Sequence, residues 1–229
     1  SIMNNMSFVD PNQFIITRKR KRYKFALFAN SPLCFEYDEW LAVKDQSDKQ
    51  PTVVEIGAGN GLFAVEQAAR HPEQTVVALD VKGDRLQKGA REAEARGLTN
   101  IFFVRARADQ IDQLVAPASL DTIWLTFSDP FPRKHSAGRR LTHPHFLKVY
   151  RNLLSSEGVL LIKHDNTDFF CWSLEQLISC GWSLQELTFD LHESELTDDY
   201  KILTSYEQRW LDEGRITKFV NAKANGRRN

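Results

Sequence analysis

Hydrophobic and polar positions change their rhythm near residue 50. Up to about residue 48 no period is sustained, and that stretch reads as an extension rather than a strand–helix unit. Beyond it, short β-branched runs alternate with helical spacing. Residues 52–56 (TVVEI) predict a strand, ended by GAGNG at 57–61, and residues 62–70 place Leu62, Val65, Ala68 and Ala69 on one helical face. Residues 75–79 (TVVAL) predict a second strand ending in Asp80, followed by a polar helix over 84–96 with Gly97 as its stop. Further strands are predicted at 101–104, 121–127 and 158–163, with helices over 144–154 and 168–179. After Gly181 come a strand-like stretch, an acidic loop, a short helix from about Ser205 and a last strand near 216–222. Strands separated by helices imply a mostly parallel sheet covered on both faces. The expected fold is a doubly wound α/β domain of seven strands over 49–229, preceded by a basic extension over 1–48.

Composition narrows the function classes. The 229 residues are 42% hydrophobic, with few glycines and prolines, as in a globular core-forming chain. No apolar run reaches the roughly 20 residues of a membrane helix, and no secretory leader is visible. Cys34, Cys171 and Cys180 are an odd number without ligand spacing, which argues against a metal site or disulfide framework and for a reducing, cytoplasmic setting. Nothing in the sequence chooses between a monomer and a homodimer.

Charge changes the picture more. Thirty Lys and Arg balance thirty Asp and Glu, yet residues 18–24 read RKRKRYK: Arg18, Lys19, Arg20, Lys21, Arg22 and Lys24. A second basic stretch carries Arg133, Lys134, His135, Arg139 and Arg140, whereas 183–200 is acidic with no Lys or Arg. This distribution suggests a polyanion at one face. A solvated arm is the alternative for 18–24.

The chemistry gathers at predicted strand ends. Glu55 precedes Gly57, Gly59 and Gly61, so the first strand ends in a turn whose glycines let backbone approach a ligand. A dinucleotide fingerprint would need its third glycine at 62, which is Leu62; the E-x-G-x-G-x-G spacing resembles motif I of class I S-adenosyl-L-methionine methyltransferases. Asp80 ends the second strand, where a carboxylate can accept ribose hydroxyls. The fourth strand runs into Ser128-Asp129-Pro130-Phe131-Pro132-Arg133-Lys134-His135 and on to Arg139-Arg140-Leu141-Thr142. An acid, stiffening prolines, an aromatic ring and cations suit a base beside a phosphate backbone.

These motifs together resemble the bacterial tRNA (guanine-N7)-methyltransferase family, whose loop reads roughly F-x-D-P-W-P-K-K-R-H-x-K-R-R-L. The resemblance runs from about Val53 to the last strand. It includes Lys163-His164-Asp165-Asn166, like the family's K-T-D-N, and Thr204-Ser205-Tyr206-Glu207, like T-x-Y-E. It implies S-adenosyl-L-methionine as cofactor, tRNA as partner and methyl transfer to N7 of the variable-loop guanine G46. It further implies that Glu55, Gly57, Gly59, Asp80, position 107 and Asp129 bind the cofactor, with Asp129 at the catalytic centre. Arg133, Asp165, Thr204, Ser205, Tyr206 and Glu207 would hold the substrate, and the two basic stretches the RNA. Phe131 stands for the usual Trp and Arg133 for the first Lys, while His135, Ser136 and Gly138 stand where the family has Arg, His and Lys. Arg107 replaces the Asp that meets the adenine; a cation cannot accept from an amino group, so Asp109 or the Ala108 backbone is the available acceptor.

Each residue also has a structural use. Asp129-Pro130 can form a turn, Asp165 can cap a helix starting near Thr167, and Thr204 with Glu207 has capping-box spacing. Trp172, Trp182 and Trp210 suit core or rim packing, and His135 and His164 read as polar loop residues. Two other functions stay open at this level. Ser128-Asp129-Pro130-Phe131 loosely resembles the D/N-P-P-Y/F loop of exocyclic-amine methyltransferases, and Arg107 with the altered basic loop suits a noncatalytic RNA-binding protein.

Overall fold

The computed structural model describes residues 9–10 and 19–226; Arg18 and the side chains of Lys19 and Arg20 lie outside it. One sheet organises the described residues. Its strands are β1 (Cys34–Glu36), β2 (Val53–Ile56), β3 (Val76–Asp80), β4 (Ile101–Arg105), β5 (Leu120–Thr126), β6 (Leu154–His164), β7 (Trp182–Thr188) and β8 (Lys218–Ala224). They lie in the order β1-β4-β3-β2-β5-β6-β8-β7. Every pairing is parallel except those of β8, which runs antiparallel between β6 and β7.

Burial on both sheet faces explains the near-continuous apolar strands. Successive residues face opposite sides. Val54, Val77 and Phe102 join a cluster with residues of α2 (Tyr37–Val43), α5 (Ile111–Leu114), α6 (Pro144–Leu153) and α7 (Thr167–Ser179). Val53, Val76 and Phe103 face α1 (Lys19–Asn30), α3 (Leu62–Arg70) and α4 (Gly83–Ala95). Gly97 does end the polar helix, at φ +67°, in the left-handed region that favours glycine.

The sheet has eight strands rather than seven, and the core does not begin at residue 49. Cys34–Glu36 extends the sheet beyond β4, and Phe28 of α1 lies 3.2 Å from where a Cβ on Gly83 would stand. Trp40 of α2 has no exposed surface, and its indole N–H donates to the Leu114 carbonyl at 2.9 Å. A three-residue strand and a seven-residue helix are too short to show a period, so the sequence pattern misses them.

Strand order places the site. Chain connections run outward to β3 and β4 on one side of β2 and to β5 and β6 on the other. Such a reversal opens a crevice beyond the carboxyl ends of the strands. Asp80, Glu55, Asp129 and Asp165 therefore follow one another along a single edge, at the ends of β3, β2, β5 and β6.

Replacing Trp40 by Ala should remove about 3–5 kcal/mol of stability, as for large aromatic truncations in a packed core. Urea unfolding checks this; an unchanged midpoint would mean that residues 34–43 are peripheral to the fold.

Candidate active site

A cavity of about 1020 Å³ opens at that edge. Its walls include the predicted residues Glu55, Gly57, Gly59, Asp80, Arg107, Ala108, Asp129, Arg139, Asp165, Thr204, Tyr206 and Glu207. Arg133, Lys134, His135, Arg140 and Ser205 are not among its walls. The volume lies at the upper end of small-molecule sites, enough for a cofactor with a base beside it.

At the β2–β3 end the glycine-rich turn is shaped by its backbone. Gly57, Gly59 and Gly61 have φ of +71°, +59° and +74°, and a Cβ on Gly61 would stand 2.7 Å from the Phe103 ring. Asp80 fastens the turn: its carboxylate accepts Gly59 N–H at 2.8 Å and Lys82 N–H at 2.9 Å. A carboxylate has about four acceptor positions, so Asp80 keeps capacity for a bound diol. Glu55 is buried and accepts the Thr126 hydroxyl at Oε2. Its Oε1 has no hydrogen-bond partner among the described residues. Burial pushes the Glu55 carboxyl up to about 8, against the Thr126 hydrogen bond; the Asp80 charge pushes the same way as burial and the Lys163 charge opposes it. An unsatisfied buried carboxylate oxygen, a glycine turn and a strand-end Asp fit an adenosine cofactor that carries an amino group.

Arg107 meets this end of the cavity differently from the expected adenine acceptor. Its guanidinium is well exposed and donates to Asp109 Oδ1 at 3.0 Å. Arg107 and Asp109 thus act as a pair on the wall, with Asp109 the carboxylate present there.

Asp129 sits in a strained loop after β5. Phe127 and Phe131 have φ of +52° and +38°, unusual for residues with a side chain. The loop is held from several sides. Asp129 Oδ1 accepts Phe131 N–H at 2.9 Å, and Arg140 donates twice to the Phe131 carbonyl, at 3.1 and 3.0 Å. Arg140 also lies over Trp172, 4.5 Å from the ring centroid, and Arg139 over Phe131 at 4.6 Å. The structure thus gives Arg140 a loop-bracing part, whereas Arg133, Lys134 and His135 are exposed.

The β6 end supplies the far wall. Asp165 accepts from Arg215 at 3.1 Å and has His164 Nδ1 at 3.5 Å from its carboxylate. It does not cap α7; Asn166 does, its side chain accepting Phe169 N–H at 2.8 Å. Thr204 caps α8 (Ser205–Asp212), accepting Glu207 N–H at 3.3 Å. Glu207 does not complete a capping box. It is buried and pairs with Lys163 Nζ at 2.9 Å and His192 Nε2 at 3.1 Å. Lys163 has no exposed surface; its ammonium also donates to the Ile202 carbonyl at 3.0 Å and lies 5.3 Å from the Phe63 ring centroid. Burial lowers the Lys163 pKa and Glu207 opposes that shift. His164 is buried at the end of β6, not a polar loop residue, and Trp210 lines the rim, 4.7 Å from the Phe127 ring. Lys163, His164, Trp210 and Arg215 lie at the site, although the sequence assigned none of them to cofactor, substrate or RNA. A lysine closing the apolar run GVLLIK was the available signal.

Glu55 makes the protein's stability depend on pH. Its folded-state pKa is raised, so the contribution of its neutral form is full below the ordinary carboxylate range and is lost as pH rises through about 8. Urea midpoints of the wild type and Glu55→Gln between pH 5 and 8.5 should diverge, the wild type losing stability relative to the variant. Parallel profiles would show that Glu55 is ionised in the fold throughout.

A family model described as "Putative methyltransferase" matches residues 49–220. The tRNA (guanine-N(7)-)-methyltransferase of Bacteroides fragilis (strain YCH46) is 35% identical over 216 residues, covering 88% of this chain and 84% of that protein. The tRNA (guanine-N(7)-)-methyltransferase of Brevibacillus brevis (strain 47 / JCM 6285 / NBRC 100599) is 34% identical over 200 residues, covering 87% and 91%. Among solved structures, the 16S rRNA methyltransferase KamB matches with a TM-score of 0.60 at 17% identity, covering 84% of this chain and 95% of that one. The 16S rRNA (adenine(1408)-N(1))-methyltransferase from Catenulisporales acidiphilia gives 0.56 at 20% identity, covering 83% and 94%. The structural matches carry the fold, which is that of class I methyltransferases. The sequence matches carry more: over most of its length, this chain belongs to the tRNA (guanine-N(7)-)-methyltransferase family.

Proposed function

We propose that the chain transfers a methyl group from S-adenosyl-L-methionine to guanine N7 in tRNA, at variable-loop G46. The observation that supports this reading best is the order of carboxylates along one sheet edge. Asp80 and Glu55 stand at one end of the cavity, Asp129 in the middle, and Asp165 with Glu207 at the other. When bound, S-adenosyl-L-methionine supplies an activated methyl on a sulfonium. Glu55 Oε1 and the spare acceptor positions of Asp80 would hold its amino and ribose ends, with the glycine turn against the adenosine.

The chain's residues have little proton chemistry to do. Guanine N7 carries a free lone pair at neutral pH, so alignment and tolerance of a developing positive charge supply the catalysis. Asp129, fixed by its turn and by Arg140, is the catalytic-centre carboxylate, standing between the two ends of the cavity. Asp165 can accept from guanine N1–H and the N2 amine while disfavouring adenine, which has an acceptor at N1; Arg215 is its partner meanwhile. Thr204, Tyr206 and Glu207, at the start of α8, wall the base, and Ser205 stands behind them in the first turn. Glu207 acts there through Lys163 and His192, because its carboxylate is already engaged.

The exposed Arg133, Lys134, His135 and Arg139, with Lys21, Arg22 and Lys24 of α1, would meet phosphates, which supply affinity without sequence information. Phe25 of α1 packs on Arg105 at the carboxyl end of β4, so the basic start of that helix lies toward the cavity edge. A cytosolic setting belongs to the same proposal. All three cysteines are free. No helix among the described residues is long and apolar enough to cross a membrane, and no metal-binding cluster occurs among them.

Asp165→Asn keeps the shape but turns one acceptor into a donor. Methyl transfer to unmodified tRNA should fall at least tenfold, about 1.4 kcal/mol of transition-state stabilisation, with cofactor affinity by calorimetry unchanged. A wild-type rate for this variant would remove Asp165 from guanine recognition.

A further inference from the structure

His164 occupies the position where the family's K-T-D-N pattern has threonine, and it is only 3% exposed. Its ring joins two loops. Nε2 lies 2.7 Å from the Ser128 carbonyl, and Nδ1 accepts Asn166 N–H at 2.9 Å. A carbonyl only accepts and a peptide N–H only donates, so these partners fix the neutral imidazole with its proton on Nε2. Phe169, 4.5 Å away between ring centroids, and Phe127 at 6.2 Å flank the ring. Ser128 directly precedes Asp129, and Asn166 directly follows Asp165. One side chain therefore links the backbones beside both carboxylates. The β5 loop has reason to need such a link, because Phe127 is held in the left-handed region. A threonine hydroxyl, attached at Cβ, cannot reach both partners.

We infer that His164 is a positioning residue that clasps the Asp129 loop to the Asp165 loop and so sets the spacing between the two carboxylates. This inference rests on the roles proposed above for Asp129 and Asp165. Protonation opens the clasp. With a proton on Nδ1 the ring can no longer accept from Asn166 and is drawn to Asp165 Oδ1, 3.5 Å away. Burial holds the imidazole below its ordinary value; the Ser128 hydrogen bond and the Asp165 charge oppose this, Lys218 of β8 adds to it, and Asp129 opposes it again. Arg215 faces the same carboxylate, donating to Asp165 at 3.1 Å. The clasp is therefore complete above the ordinary histidine range and is lost as pH falls through the folded-state value beneath it.

Three substitutions test the clasp on the full chain. His164→Gln can still donate to Ser128, His164→Asn retains only an acceptor near Asn166, and His164→Thr spans neither. The wild-type kcat should fall on the acid side of neutrality. His164→Gln should keep kcat within about threefold and lose that acid limb, whereas His164→Asn and His164→Thr should lose about tenfold or more in kcat with cofactor affinity unchanged. Wild-type kcat in His164→Thr, or a Gln variant no better than Asn, would overturn the proposal. Ring 15N NMR of the wild type decides without any activity or any variant fold. A protonated Nε2 with titration below the ordinary value is expected; a proton on Nδ1, or titration at or above that value, would overturn the clasp. A wild type with the expected ring state but no methylation of guanine N7 would count against the proposed function and leave the clasp standing.

Discussion

A lysine with no contact with water dictates much of this molecule. Lys163 stands one residue before the end of the buried run of β6, and its ammonium must be satisfied inside the protein. Glu207 provides the opposite charge, the Ile202 carbonyl a second acceptor, and the Phe63 ring a face to lie against. Such a pair is a poor source of net stability, since desolvation cancels much of the attraction, yet breaking one half is costly. Its effect is placement. The partner of a charge at the end of β6 has to be brought there by α8, and with Glu207 come Thr204 and Tyr206 to the cavity wall. His192, from the acidic segment after β7, is drawn to the other Glu207 oxygen.

The same row of charge reaches the opposite half of the cavity. Glu55 lies on the α3 side of the sheet, as Lys163 does, and its carboxyl feels both burial and the lysine. One cation thus stands between Glu55, at the β2 end of the cavity, and Glu207, at its α8 end. Asp129 lies between those halves on a loop that carries strain, braced by Arg140 from one direction and joined to β6 by His164 from another. Rigidity of this kind is what an alignment-dominated reaction requires.

How much of this was legible in the sequence follows from the range of each interaction. The glycine turn, Asp80 and the ends of β5 and β6 are local signals, written in runs of five or six residues, and the mostly parallel sheet follows from alternation with helices; the strand order, with β1 at one edge and β8 between β6 and β7, does not. The first strand and α2 carry no period because they are short, and the burial of Trp40 depends on Leu114, far along the chain. Capping was half legible. Thr204 is the cap its spacing suggests, but Glu207 at the same motif answers to Lys163, and Asn166 rather than Asp165 serves α7. His164 read as a loop residue because its partner carbonyl, Ser128, stands 36 residues away. Arg140 read as a phosphate contact for the same reason: only the folded chain brings it to the Phe131 carbonyl.

Net charge was the least informative sequence quantity, because zero overall conceals basic stretches at 18–24 and 133–140 and an acidic one over 183–200. The cavity's order of carboxylates is suited to one acceptor atom, N7 of guanine. Incubating the full chain with unmodified tRNA and methyl-labelled S-adenosyl-L-methionine, then separating the nucleosides after digestion, tests it directly. Label in 7-methylguanosine, from position 46, is the predicted result. Label in an N-methylated exocyclic amine, or tRNA bound without any transfer, would contradict it.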